Sequence, residues 1–188
     1  MIECGWTTEL SLLQHRGVSL APGLTDDEIR RAEQMHGFRF PPDLRTLLSS
    51  ALPVAQGFPD WRSPDSPALD KQMAWPFEGI AFDIEHSNFW WEPWGPKPAT
   101  LSEAVMIARK GVESAPRLIP LYYHRYLPAE PELAGNPVFS IHQTDIIYYG
   151  ADLRRYFSCE FGGLEHAEAV QGNLRPIRFW TALIEACW

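Results

Sequence analysis

The sequence predicts a single α+β domain: a largely antiparallel central sheet, helices packed on one face, and a helix pair at the N-terminal end. Three observations lead there. A chain of 188 residues suits one domain. The patterns run helical, then strand-rich, then helical again, without the β-α alternation of a doubly wound sheet. The stretch 138–149 reads as a hairpin, with Val138 to His142 and Ile146 to Tyr149 flanking the turn Gln143-Thr144-Asp145. No repeat and no second core are visible, so residues 1–188 are read as one domain.

A short helix is expected from Thr7 or Thr8, with Leu10 and Leu13 on one face and Gly17 near its end. A second runs from Asp26 to His36. Thr25 and Glu28 form a capping box, Leu24 and Ile29 a hydrophobic staple, and Gly37 is placed to end it. Phe38 to Pro42 must be extended. Pro42 then opens a third helix whose buried stripe is Leu44, Leu47 and Leu48, and Pro53 stops it. Residues 52–78 read as a long loop anchored by Trp61 and Trp75, either a functional segment or an insertion tied down by two aromatics. Gly79 to Ile84 reads as a strand, with Ile80, Phe82 and Ile84 on one face and Asp83 and Glu85 on the other. Residues 89–96 hold too much proline for a central strand. Thr100 and Glu103 cap a helix stacked on Leu101, Val105 and Ala108 and closed by Gly111. A strand follows from Arg117 to Tyr123. After the hairpin, Asp152 caps a helix carrying Leu153, Tyr156 and Phe157. Pro176 opens the last helix, with Ile177, Trp180 and Ile184 on one face.

Composition narrows the function. Hydrophobic residues at 45% and charged residues at 21% are ordinary globular values. A net charge of -8 and a pI of about 5.2 have the wrong sign for a general nucleic-acid binder and the right sign for a basic partner. The cysteines Cys4, Cys159 and Cys187 are odd in number and include no CxxC, which supports neither a disulfide framework nor a structural zinc. Buried, reduced thiols in a cytoplasmic protein are expected. The first residues lack a signal-peptide pattern, and no apolar run nears the ~20 residues of a membrane span.

Asp83 and Glu85, two apart on a strand, would sit about 6.6 Å apart, within the range for inverting glycoside hydrolysis. Two carboxylates projecting in parallel from one strand, however, more commonly mark a solvated face. His86, His124 and His142, with Asp83 or Asp145, lack any metal-site spacing. No GxSxG or phosphate loop is present, so no catalytic residue, metal or cofactor is expected. Tyr122, Tyr123, Tyr126, Tyr148 and Tyr149 divide by alternation between core and surface. The sharpest signal lies in 78–92, where Glu78, Asp83, Glu85 and Glu92 occur with no Lys or Arg, beside Trp90, Trp91 and Trp94. Aromatic anchors rimmed by carboxylates suit a basic protein partner. Asp83, Glu85, Trp90, Trp91, Glu92 and Trp94 are therefore the candidate partner-binding residues.

The motif order resembles the SUKH superfamily (Smi/Knr type) over residues 24–161. The motifs are Leu24-Thr25-Asp26-Asp27-Glu28-Ile29, then Phe38-Arg39-Phe40-Pro41-Pro42-Asp43-Leu44, then Asn136-Pro137-Val138-Phe139-Ser140-Ile141, then Asp145-Ile146-Ile147-Tyr148-Tyr149-Gly150 before the helix at Asp152. The matching residues are caps, turns and core positions. The family's short turn after the third helix is replaced here by the 52–78 segment. The resemblance implies a non-enzymatic α+β binding domain. It would be an immunity protein neutralising a cognate bacterial toxin, such as a nuclease, by direct binding, or an intracellular regulator or scaffold of the same fold.

Overall fold

The structure, a computed structural model, describes residues 5–187, with side chains to residue 186. Cys4 and the Cys187 side chain lie outside the described residues; Cys159 is unpaired and half-buried, not buried as expected. Helix α1 spans Thr7–His15, and strand β1 spans Ser19–Pro22. Helices α2 (Asp26–His36) and α3 (Pro42–Ser50) form the N-terminal pair, followed by β2 (Ala51–Val54). The capping box is formed as expected: Glu28 N donates to Thr25 Oγ1 (3.3 Å), and Thr25 N donates to Glu28 Oε2 (2.8 Å). Helix α3 stops at Ser50, before Pro53. Pro53 lies instead in β2, which pairs antiparallel with β1 and closes the helix pair into a loop.

The largest departure from expectation is helix α4, Pro67–His86. It takes up the second half of the expected 52–78 loop and all of the expected 79–84 strand. Ser66 Oγ caps it by accepting from Leu69 N (3.4 Å), and Pro67 occupies its first turn. Ile80 and Ile84 are buried four apart, while Phe82 is exposed, the helical pattern rather than the alternating one. Pro76 lies inside the helix and cannot donate to Gln72 O. The buried Tyr126 hydroxyl donates to that carbonyl instead (2.9 Å), so the gap in the helix becomes a sheet contact. Trp61 is buried as an anchor of the remaining loop, whereas Trp75 is on α4 and partly exposed.

Helix α5 (Leu101–Glu113) runs past Gly111; Ala104 and Ala108 are buried, and Leu101 is exposed. A four-stranded antiparallel meander follows: β3 (Leu118–Tyr122), β4 (Arg125–Pro128), β5 (Val138–His142) and β6 (Asp145–Gly150), in that spatial order. Strand β4 had no separate signal in the sequence. Helix α6 (Leu153–Phe157) continues into a π-helical turn, Ser158–Gly162. Short α7 (His166–Ala169) and α8 (Trp180–Cys187) complete the chain, α8 starting four residues later than expected from Pro176.

The α+β class holds, but helices cover both faces of the sheet, not one. On one side Ile119, Leu127 and Val138 pack with Leu13, Ile29, Leu44 and Leu153 from α1, α2, α3 and α6. On the other, Leu118, Tyr126, Phe139 and Ile146 pack with Ile80 and Ile84 of α4, Ala108 of α5 and Leu183 of α8. The second core absent from the sequence reading is therefore the far side of the same sheet. Continuous burial along β3 and β4 is the consequence. No helix among the described residues is long and apolar enough to cross a membrane.

Candidate functional site

The acidic aromatic segment begins where α4 ends. Ser87 N and Phe89 N both donate to Asp83 O (2.9 and 3.0 Å), and Asn88 takes a positive φ of 54°, so the chain reverses direction. Lys97 Nζ donates to Asn88 Oδ1 (2.8 Å) and closes the loop. A 3-10 turn, Glu92–Trp94, holds three indoles within five residues. Trp94 is their hub. Its ring meets Trp90 at 5.3 Å and Trp91 at 5.5 Å between centroids, both edge-on. It rests on Gly111 of α5, where a Cβ would lie 2.6 Å from Trp94 Nε1. That Nε1 is buried and has no hydrogen-bond partner among the described residues. Trp91 also packs edge-on against Phe179 at 5.0 Å, and Trp90 Nε1 donates to Gly95 O (2.7 Å).

Between this loop and α8 lies a groove of about 450 Å³. Phe89, Trp90, Trp91 and Glu92 form one wall, and Ala182, Glu185 and Ala186 form the other. The alanines, four apart, leave the space open, while Leu183 and Ile184 face the core. The lining carries two carboxylates and no basic residue. Half-buried indoles beside carboxylates can hold a guanidinium or ammonium through ring faces and charge together. Glu185 was missed by the sequence reading. It lies far along the chain, and nothing local joins it to Glu92.

The other candidate residues separate. Asp83 is buried at 6% exposure. Its Oδ2 accepts from Thr144 N (2.9 Å) and Thr144 Oγ1 (2.6 Å), and its Oδ1 accepts from Ser87 Oγ (3.0 Å). It ties the β5–β6 turn to α4 and offers nothing to a partner. Glu85 is exposed on the opposite side of the helix. The parallel carboxylate pair considered for glycoside hydrolysis is therefore not formed: two residues along a helix differ by about 200° in direction, not by a full turn as on a strand. His86 stacks on Phe82 at 4.2 Å. No group of three or more His, Cys, Asp or Glu among the described residues is placed to hold a metal.

A second polar centre is buried under the sheet's other end. Arg125 donates to Glu160 Oε2 (2.9 Å) and Ser140 Oγ (2.8 Å), and lies over the Tyr149 ring at 3.6 Å. Its Nε and Nη1 bonds join β4, on which it sits, to β5 and the π-helical turn, so it acts as a clamp between these elements. The chain matches no protein-family model, no curated protein and no solved structure.

Proposed function

We propose that this chain is a non-enzymatic binding module that captures a basic segment of a protein partner in the groove between Trp90 and Glu185. The observation that carries this reading is the juxtaposition of Trp90 and Trp91 with Glu92 and Glu185 around one open groove, on a chain of net charge -8. Rigid, edge-packed indoles lose little entropy on binding, and unpaired carboxylates favour an arginine or lysine. In the manner of SUKH-type immunity proteins, the partner would be a toxin domain held with its basic surface covered. A regulatory partner of the same charge is the second form of this reading.

The test is co-purification with the protein encoded beside this chain in its source genome, followed by calorimetric titration of the pair. Trp90→Ala and Glu92→Gln are each expected to weaken the complex about tenfold or more, and about 0.5 M salt to weaken it further. Restored activity of the partner in both variants would mark it as a toxin. Variants that bind as tightly as the wild type would place the binding surface elsewhere.

A further inference from the structure

A separate cavity of about 230 Å³ lies between the start of α4 and the β3–β4 turn. It is lined by Ala68, Lys71, Gln72 and Trp75 on one side and Tyr123, His124 and Tyr126 on the other. Trp75 is 37% exposed and Tyr123 47% exposed, yet both are held. Trp75 Nε1 donates to Ile141 O (3.2 Å), and Tyr123 N donates to Gly57 O (2.9 Å). The Tyr123 ring lies against Gly57, where a Cβ would come within 2.6 Å of it.

Tyr123 also sits at a φ of 45°. Of the two turn residues only this one has a positive φ, the pattern of a type II′ hairpin, whose first position favours glycine. A bulky aromatic there is strained. The fold thus keeps a costly side chain half in water as the wall of a cavity.

The polar groups around the cavity are mostly satisfied within the protein. Tyr126 Oη donates to Gln72 O, and Gln72 Nε2 donates to Gly57 O (3.2 Å). His124 is held toward its neutral form by burial, Arg125 and His142. Lys71 makes no ion pair with any described residue, and its ammonium is the full charge of the lining. Glu78, one turn beyond Trp75, acts on the Tyr126 side, so an anion is favoured at the Lys71 end.

The geometry points to a binding site for a small planar aromatic carboxylate, its ring against Trp75 and Tyr123 and its carboxylate on Lys71 Nζ. A cavity of roughly 150 Å³ accepts benzene, so this one has room for a fused ring. The inference stands independently of the Trp90–Glu185 groove. Titration calorimetry of the full chain with naphthoate, naphthylmethanol and naphthylmethylamine tests it. Naphthoate is expected to bind roughly tenfold more tightly than either analogue. Lys71→Met should erase that margin while leaving naphthylmethanol binding in place. Ala68→Phe, at an exposed helix position, should fill the cavity and abolish binding of all three with an unchanged unfolding midpoint. Absence of naphthoate binding to the wild type, tighter binding of the amine, or a margin that survives Lys71→Met would each overturn the assignment.

Discussion

Asp83 and Glu85 are two residues apart and of like charge, and their surroundings give them unrelated roles. The Asp83 carboxylate is out of water and accepts three hydrogen bonds from Thr144 and Ser87. An amide in its place turns a donor toward one of those donors. Asp83→Asn is expected to cost about 2 kcal/mol, read as a shift in the urea midpoint. Glu85→Gln, on an exposed face, should stay within about 0.5 kcal/mol. Equal small shifts for the pair would contradict the tether assigned to Asp83. The three tryptophans divide in the same way. Trp94 is a packing hub on Gly111, whereas Trp90 and Trp91 line the groove. The sequence marked all six candidates by type and proximity. Which of them reach solvent depended on where α4 pointed them.

Helix α4 shows why some elements are readable and others are not. Helix α2 is specified within its own span, because Thr25, Glu28 and Gly37 satisfy its ends locally. Helix α4 contains Pro76 and Gly79, both poor helix residues, and its stretch Ile80 to Ile84 fits a strand or a helix equally well. Tertiary contacts compensate for both weak positions. Tyr126 takes up the carbonyl that Pro76 leaves free, and Gly79 lets the β5–β6 turn come close. A Cβ at Gly79 would lie 2.7 Å from Gln143 Cα. Helix propensity alone predicts that Gly79→Ala gains about 1 kcal/mol. The close backbone approach reverses that sign, and a net loss of about 1–3 kcal/mol is expected in urea unfolding. A stabilised variant would show that the turn does not rest on this position.

At the scale of the whole molecule, two cores share one sheet; the buried Tyr126 hydroxyl links that sheet to α4, and the buried Tyr156 hydroxyl has no hydrogen-bond partner among the described residues. Burial pushes the Tyr126 and Tyr156 hydroxyls well above the ordinary value of 10.0, with nearby Glu78 and Glu160 adding to it. The folded chain holds these protons more tightly than the unfolded chain. Their contribution to stability is therefore fully present below pH 10 and is lost as pH rises past it toward the folded values. Alkaline titration should show phenolate absorbance from these two residues appearing with, and not before, the loss of far-ultraviolet dichroism. From the sequence alone came the α+β class, the capped helices, the β5–β6 hairpin and the acidic aromatic segment, all set by interactions between residues a few positions apart. Only the tertiary structure decided that 67–86 is a helix, that both sheet faces are covered, and that Glu185 joins Glu92 while Asp83 turns inward. Those outcomes depend on contacts such as Asp83 with Thr144, between residues far apart in the chain, whose energies exceed the weak local preferences they override.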